Sequence, residues 1–156
     1  TAFRWVEVWG WLTDSIGACV DEAHRGGLPL CVEPRVGEII SNTDALLRLM
    51  EAVDSDNFGA VLDTGHLHAQ KEILPLSVEK LGSHIRYVHA SDNDGQTNQH
   101  LVPGTGTVDW EGVFLALKKH AFSGYVAVEV GNVPKLEAAY TASKRFLAGL
   151  ARRLEI

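Results

Sequence analysis

The sequence predicts an α/β fold in which four parallel strands alternate with outer helices. Four short apolar runs, each typical of a buried strand, are separated by segments whose apolar residues recur at helical spacing. Each run also ends in an acidic residue or a histidine. Because strands that alternate with helices form parallel βαβ units, we expect these four polar residues to lie together at one edge of a parallel sheet.

The first 33 residues predict a helix followed by a strand. Apolar residues recur with a helical period between Trp11 and Ala23, and the Gly26-Gly27 pair should end this leading helix, which we assign to residues 1–27. The run 28–33 is short, apolar and closed by a carboxylate, as in a buried strand of a parallel sheet.

The following segments repeat this unit, and we expect one domain over residues 1–156, with four βα units in residues 28–156. In chain order, the further predicted elements are a helix capped by Asn42 or Thr43 and ending near Val53, a strand at 58–63, a short helix at about 76–81, a strand at 85–89, a helix at about 109–120, a strand at 124–129 and a closing helix from Pro134 to about Leu154, with the proline near its first turn.

Composition narrows the classes of function. With 46% hydrophobic residues and a net charge of −6, the chain is typical of a globular protein, and its scattered basic residues argue against nucleic acid as a partner. No apolar run is long enough for a membrane span, and no signal peptide is evident. Cys19 and Cys31 lack metal-site spacing, so we expect buried, reduced thiols and a cytoplasmic location.

The four strand ends carry the residues that can bind a metal: Glu33, Asp63, His89 and Glu129. A single carboxylate after a strand is often a helix cap or a solvated turn residue. Three carboxylates that converge at the mouth of one sheet, however, repel each other unless a cation compensates them. Three oxygen donors and one imidazole suit Mn²⁺ best, with Mg²⁺, Co²⁺ or Zn²⁺ as alternatives.

Further polar residues flank these ends. His66 follows Asp63 on a glycine-containing segment predicted as a loop, where it either overhangs the same cavity or lies on the surface. The acidic cluster 91–94 either orients the imidazole of His89 or forms a turn. The long segment 98–106 is typical of a binding element or lid, in which His100 is the candidate. The other histidines expected on the surface are His68, His84 and His120.

Several motifs in order resemble the xylose isomerase-like TIM barrels, which include sugar phosphate isomerases and epimerases, ketose 3-epimerases and inosose dehydratases. The likeness extends from about Leu28 to the end of the chain. The motifs are Glu33-Pro-Arg-Val-Gly-Glu38-Ile, Asn57-Phe-Gly-Ala-Val-Leu-Asp63-Thr-Gly-His66, Tyr87-Val-His89-Ala-Ser-Asp-Asn-Asp94-Gly, His100-Leu-Val-Pro-Gly-Thr-Gly-Thr-Val-Asp109-Trp110 and Val126-Ala-Val-Glu129.

The resemblance implies that the four strands correspond to strands five to eight of such a barrel, and the leading helix to helix four. It implies metal ligands at all four strand ends, with Glu33 and Glu129 also acting as the catalytic acid/base pair. His66, His100 and Glu38 are then the candidate substrate-binding residues. One departure is that the epimerases place an arginine after the metal histidine, where this chain reads Asp94-Gly95-Gln96.

The expected function is that of a divalent-metal-dependent sugar or sugar phosphate isomerase/epimerase. It would act on a small sugar or polyol ketone by removing a proton beside the carbonyl, through an enediolate stabilised by the metal. The alternatives are an inosose-type dehydratase or lyase, and a non-catalytic metal-binding half-barrel that needs a partner. Abasic-site endonucleases of the same family carry Asp-x-His where this chain has Asn98-Gln-His100, which disfavours a nuclease.

A complete barrel has about 250 residues and eight strands, whereas this chain has 156 residues and four predicted strands. The chain also does not begin with Met. We therefore expect a fragment that lacks the N-terminal half-barrel and is incomplete in isolation. A homo-oligomer of half-barrels and a subunit completed by another chain remain the alternatives.

Overall fold

The computed structural model describes residues 3–155, with four strands, six α-helices and one 3₁₀ turn in that range. The strands are β1 (Leu30–Val32), β2 (Phe58–Asp63), β3 (Ile85–Ala90) and β4 (Tyr125–Val128). The helices are α1 (Trp5–Arg25), α2 (Thr43–Val53), α3 (Thr64–Ala69), α4 (Leu74–Leu81), α5 (Trp110–Lys119) and α6 (Leu136–Leu154), and the 3₁₀ turn is Gly82–His84.

The four strands form one parallel sheet in the order β1-β2-β3-β4. Neighbours in the sheet are therefore neighbours in the chain, and each connection contains at least one helix. The register places Asp63 directly opposite His89, so the polar ends of the two inner strands are level with each other. These observations confirm the predicted α/β class with parallel strands and outer helices.

The core lies between the sheet and its covering helices. All six residues of β2 are buried, as expected for an inner strand of a parallel sheet. Leu46 and Leu49 of α2 are fully buried and belong to the same apolar cluster as Leu62 and Val88 of the strands. Asn42 caps α2 as predicted, because its side-chain oxygen accepts a hydrogen bond from the Ala45 amide at 2.8 Å.

Helix α1, Trp5–Arg25, lies within the predicted leading helix 1–27 and begins six residues before the periodic run that starts at Trp11. Its first turns are held by aromatic contacts that an apolar repeat does not reveal. The Trp5 and Trp9 rings lie 5.6 Å apart, and the guanidinium of Arg48 on α2 lies 5.0 Å from the Trp9 ring centroid. This cation–π contact fastens the start of α1 to α2.

Three local predictions were wrong. The segment after Asp63 is helix α3 rather than a loop, because a side-chain oxygen of Asp63 accepts a hydrogen bond from the His66 amide at 2.6 Å and caps the helix. The closing helix α6 begins at Leu136 rather than at Pro134, which precedes it. Cys19 is exposed rather than buried, and both it and the half-buried Cys31 are free thiols.

The long β3–α5 connection is folded around the buried side chain of Asp92. One carboxylate oxygen accepts hydrogen bonds from the Gly104 amide and the Trp110 indole, both at 2.8 Å, and the other accepts from the Val108 amide at 3.1 Å. Asp94 caps a tight turn by accepting from the Gln96 amide at 2.7 Å. The geometry therefore favours a turn-forming role for this acidic cluster over one of orienting His89.

None of the helices in residues 3–155 combines the length and the apolar character that a bilayer crossing requires.

Candidate metal centre

Four side chains from four different strands converge at the carboxyl edge of the sheet. Asp63 and His89 belong to the ends of β2 and β3, while Glu33 and Glu129 directly follow β1 and β4. One ligand atom from each residue can be chosen so that all four atoms lie within 4.8 Å of one another. The structure thus brings together all four residues that the sequence singled out as metal ligands.

The imidazole of His89 is surrounded by the three carboxylates. Its Nδ1 lies 2.6 Å from Glu33 Oε1, 3.2 Å from Glu129 Oε2 and 3.7 Å from Asp63 Oδ2. The ring of Tyr87 contacts the His89 ring edge to face, with centroids 5.4 Å apart. One nitrogen thus shares a small volume with three carboxylate groups, an arrangement that a cation would stabilise.

Asp63 is the most buried member, with a fully buried side chain. Burial raises the pKa of its carboxyl from 3.8 to about 8; the hydrogen bond from the His66 amide opposes this shift, and the charges of Glu33 and Glu129 add to it. Its Oδ1 caps α3, but its buried Oδ2 has no hydrogen-bond partner among the described residues. A buried carboxylate oxygen without a partner is costly unless a proton or a cation compensates it.

These residues fit a divalent cation. Besides Asp63 Oδ2, the Oε2 of Glu129 is buried and has no hydrogen-bond partner among residues 3–155. These two unpartnered oxygens, Asp63 Oδ2 and Glu129 Oε2, lie 3.7 Å and 3.2 Å from Nδ1 of His89. Three oxygen donors and one imidazole nitrogen form a set that Mn²⁺, Mg²⁺, Co²⁺ and Zn²⁺ all accept.

His66 lies in the first turn of α3, next to this centre. The backbone N–H of Val36 donates to its Nδ1 at 3.2 Å, so in the neutral ring Nδ1 is the acceptor and Nε2 carries the proton. Burial lowers the pKa of His66, although the negative charge of Glu33 opposes the shift. At neutral pH His66 therefore has a neutral ring with one N–H available at Nε2.

His100 lies beside His66, with the two ring centroids 5.8 Å apart. Both of its ring nitrogens contact protein atoms: Nδ1 lies 3.1 Å from the Glu129 backbone oxygen, and Nε2 lies 3.0 Å from the side-chain nitrogen of Asn98. The structure therefore brings His100 to the metal-centre residues. Its predicted contact with substrate stays a prediction.

Two residues of the β1–α2 loop, Glu38 and Arg35, differ in how they lie relative to the metal centre. Glu38, a predicted substrate contact, lies on the exposed part of this loop, where its backbone N–H donates to the Arg35 carbonyl at 3.1 Å. Sequence reasoning did not single out Arg35, whose Nε lies 3.7 Å from Glu33 Oε2. No spacing rule could have found Arg35, because only the folding of the loop places its charge beside a metal-centre carboxylate.

The fold and the site define a class of protein. Four parallel βα units with acidic and histidine side chains at the carboxyl ends of the strands are an arrangement typical of (βα)₈ barrels, whose functional sites lie at that face. Residues 4–150 match the family model described as the xylose isomerase-like TIM barrel. The chain therefore belongs to the xylose isomerase-like TIM barrel family, which confirms the resemblance seen in its motifs.

Curated relatives of this chain are named as sugar-modifying enzymes. It is 26% identical over 148 residues to a fructoselysine 3-epimerase of Escherichia coli, covering 90% of this chain and 54% of the relative. It is 28% identical over 159 residues to an inosose dehydratase of Bacillus licheniformis, covering 88% of this chain and 53% of the relative. The chain thus spans about half the length of these relatives.

Solved structures show the same half coverage. A D-tagatose 3-epimerase-like protein superposes with a TM-score of 0.86 at 26% identity, covering 96% of this chain and 56% of that protein. The IolI protein with a bound zinc atom superposes with a TM-score of 0.82 at 23% identity, covering 98% of this chain and 59% of that protein. These superpositions confirm that the four βα units correspond to half of a TIM barrel.

Proposed function

We propose that this chain provides the divalent metal centre and the acid/base pair of a sugar isomerase/epimerase. The observation that carries the proposal is the convergence of Glu33, Asp63, His89 and Glu129 within 4.8 Å. Two buried carboxylate oxygens in this group lack a hydrogen-bond partner among the described residues. The names of its epimerase and dehydratase relatives support a small sugar or polyol ketone as the substrate class.

A divalent cation bound by these four residues supplies Lewis-acid polarisation of substrate oxygens. We propose Mn²⁺ as the native ion, because three hard carboxylate donors and one imidazole match its preferences. Mg²⁺, Co²⁺ and Zn²⁺ are the alternatives that a metal analysis would identify. The cation would also keep the carboxyl of Asp63 ionised, because its positive charge opposes the effect of burial that raises the pKa of this group.

Glu33 and Glu129 are the proposed proton-transfer residues. They follow β1 and β4, so they approach the centre from opposite sides of the row of strand ends. In an epimerisation, one carboxylate removes the proton from the carbon beside the carbonyl, and the other returns a proton to the opposite face of that carbon. The Nε2–H of His66 is the proposed hydrogen-bond donor to a substrate oxygen, and Glu38 and His100 are further predicted substrate contacts.

An inosose-type dehydration is the second candidate. Inosose dehydratases are 27–28% identical to this chain, and the fructoselysine 3-epimerase is 26% identical to it. Both reactions begin with removal of the proton beside the carbonyl. In the dehydration the hydroxyl on the next carbon then leaves with its bonding electrons and takes up a proton from the second carboxyl group, so that water is released and a C=C bond remains. A product lighter by one water distinguishes the two reactions.

The complete active site needs more chain than the four βα units described here. In the described sheet, β1 and β4 each pair with only one strand, whereas a barrel closes with eight. We propose that an N-terminal half-barrel completes the enzyme, with a second copy of this chain as the alternative. A cytoplasmic location is part of the proposal, since both cysteines are free thiols.

Metal content tests the centre directly. We expect about one divalent ion per chain by elemental mass spectrometry after purification and dialysis, and its loss in the double variant Glu33→Gln/Asp63→Asn. The matched control is Glu22→Gln, a charge change on the exposed face of α1, which should keep the ion. A folded chain that binds no ion, or a double variant that retains it, would contradict the proposed metal centre.

Proton exchange tests the chemistry. The metal-loaded chain, alone and mixed with an N-terminal half-barrel of an epimerase relative, is incubated with ketoses or inososes in D₂O. We expect deuterium to enter beside the carbonyl, and to stop doing so in Glu129→Gln. Metal binding without exchange under both conditions would instead support a non-catalytic half-barrel module.

A further inference from the structure

Glu129 is the most exposed of the four metal-centre residues and lies just beyond the end of a strand. Strand β4 ends at Val128, one residue before it, and β4 is an edge strand of the described sheet. Its side chain is 46% exposed, compared with 22% for Glu33 and 0% for Asp63. Its backbone N–H donates to the Ala90 carbonyl at 3.0 Å, but its carbonyl lies beyond the strand ladder and needs another donor.

The ring of His100 provides that donor. Its Nδ1 lies 3.1 Å from the Glu129 carbonyl oxygen, and because a carbonyl only accepts, Nδ1 must carry the proton. The side-chain amide nitrogen of Asn98 lies 3.0 Å from the other ring nitrogen, Nε2. Because an amide NH₂ only donates, Nε2 must be the unprotonated acceptor. The two contacts therefore require the same neutral tautomer of His100.

The backbone around His100 is fixed as well. Its carbonyl accepts a hydrogen bond from the Gly131 amide at 3.0 Å, and the next residue, Leu101, exchanges two backbone hydrogen bonds with Asp92 at 2.8 and 2.9 Å. His100 itself has a φ of 52°, in the left-handed region that few residues other than glycine adopt. The loop is thus attached to β3 on one side and to the segment after β4 on the other.

Asn98 is in turn packed against the start of α3. A Cβ added to Gly65 would lie 2.5 Å from Asn98 Oδ1 and 2.3 Å from Ser91 Oγ, so the absence of a side chain at position 65 leaves room for both polar atoms. Both are buried without a hydrogen-bond partner among residues 3–155. A hydroxyl donor and an amide acceptor thus lie close together on the side of Asn98 that faces away from His100.

We propose that His100 is a positioning residue for Glu129, and that Asn98 orients the His100 ring for this task. The inference rests on the proposed function, since it assumes that Glu129 serves the metal centre. His100 fixes the backbone of a ligand that lies just beyond an edge strand, and so sets where the Glu129 carboxylate meets the other three residues. Loss of a residue that orients a metal ligand typically weakens metal binding by 10- to 100-fold.

The test compares three substitutions at one position, with Co²⁺ as the probe. In His100→Asn an amide N–H takes the place of Nδ1–H, and asparagine tolerates the left-handed backbone. In His100→Gln the longer side chain places its amide at the position of Nε2 instead of Nδ1. In His100→Ala no side-chain donor remains. We expect His100→Ala and His100→Gln to weaken Co²⁺ binding at least tenfold and to change its visible absorption spectrum, while His100→Asn stays within about threefold of the wild type.

Asn98→Ala should weaken Co²⁺ binding in the same direction as His100→Ala, whereas His24→Asn, on the exposed end of α1, should have no effect. Equal binding and unchanged spectra in all variants would overturn the inference. If the wild-type chain binds no Co²⁺, the proposed metal centre fails, and amide hydrogen exchange still decides the positioning role. Faster exchange at Glu129 and Val130 in His100→Ala, restored in His100→Asn, supports that role, and unchanged exchange overturns it.

Discussion

Replacing Asp63 by asparagine should stabilise the metal-free chain while abolishing metal binding. Asparagine keeps the oxygen that accepts the His66 amide and caps α3. It replaces the buried, partnerless Oδ2 by an NH₂ group that can donate to the nearby carboxylates of Glu33 and Glu129. The variant thus retains the structural function of the residue and removes its unfavourable charge.

The size of the effect follows from the pKa of Asp63, which burial raises from 3.8 to about 8. Because the native chain then holds this proton more tightly than the unfolded chain, stability falls as the pH rises from about 4 to about 8 and is constant above it. At about 1.4 kcal/mol per pKa unit, the full shift sets a ceiling of about 6 kcal/mol. Water around the partly exposed Glu33 and Glu129 reduces this, and we expect about 2 kcal/mol at pH 8.

The assay is urea unfolding at pH 5, 7 and 9 in the presence of a chelator, followed by tryptophan fluorescence. We expect Asp63→Asn to unfold at higher urea than the wild type at pH 9 and to show a flatter pH dependence, while Asp14→Asn, an exposed residue of α1, follows the wild type. In the wild type, added Mn²⁺ should restore stability at pH 9, because the cation replaces the proton. An Asp63→Asn chain that is less stable at pH 9, or equally pH-dependent, would refute this reasoning.

Three further substitutions test the scaffold of the site. Leu46→Ala should destabilise the chain by about 2–5 kcal/mol in urea unfolding, because Leu46 is fully buried; a loss below about 1 kcal/mol would contradict its place in the core. Asp92→Ala should cost about 3 kcal/mol, because it leaves several buried donors without an acceptor, and the Trp110 indole N–H resonance should shift; an unshifted resonance would argue against the hydrogen bond. Gly65→Ala should destabilise by about 1–3 kcal/mol, because its Cβ would lie 2.3 Å from Ser91 Oγ, and a wild-type unfolding midpoint would disprove this close approach.

The sequence predicted best those features that depend on local pattern. The run Phe58–Asp63 is apolar and closed by a carboxylate, and its strand has the predicted bounds. The four strand ends were found by the same reasoning, because parallel strands must bring their carboxyl ends to one edge. The side chains of Glu33 and Glu129 nevertheless converge from the first and last strands of the sheet, which alternation alone does not guarantee.

Features that depend on particular hydrogen bonds, or on contacts between distant segments, could not be predicted. Helix α3 has six residues and no apolar repeat, and it forms because Asp63 caps it. The roles of Asp92 and Asn98 depend on how one long loop folds back on itself. The first turns of α1 contact Arg48, which is 39 positions beyond Trp9 in the chain. In each case particular hydrogen bonds or ring contacts shape the local structure, and hydrophobic periodicity does not encode them.

The four metal-centre residues differ in exposure. Asp63 at the end of β2 is fully buried, Glu33 after β1 is 22% exposed, His89 on β3 is 29% exposed, and Glu129 after β4 is 46% exposed. A ligand that only holds a cation benefits from a rigid, buried position, while a carboxylate that also transfers protons must reach substrate. By this criterion proton transfer fits Glu129 best, and His100, the proposed positioning residue, holds the Glu129 backbone just beyond the end of β4.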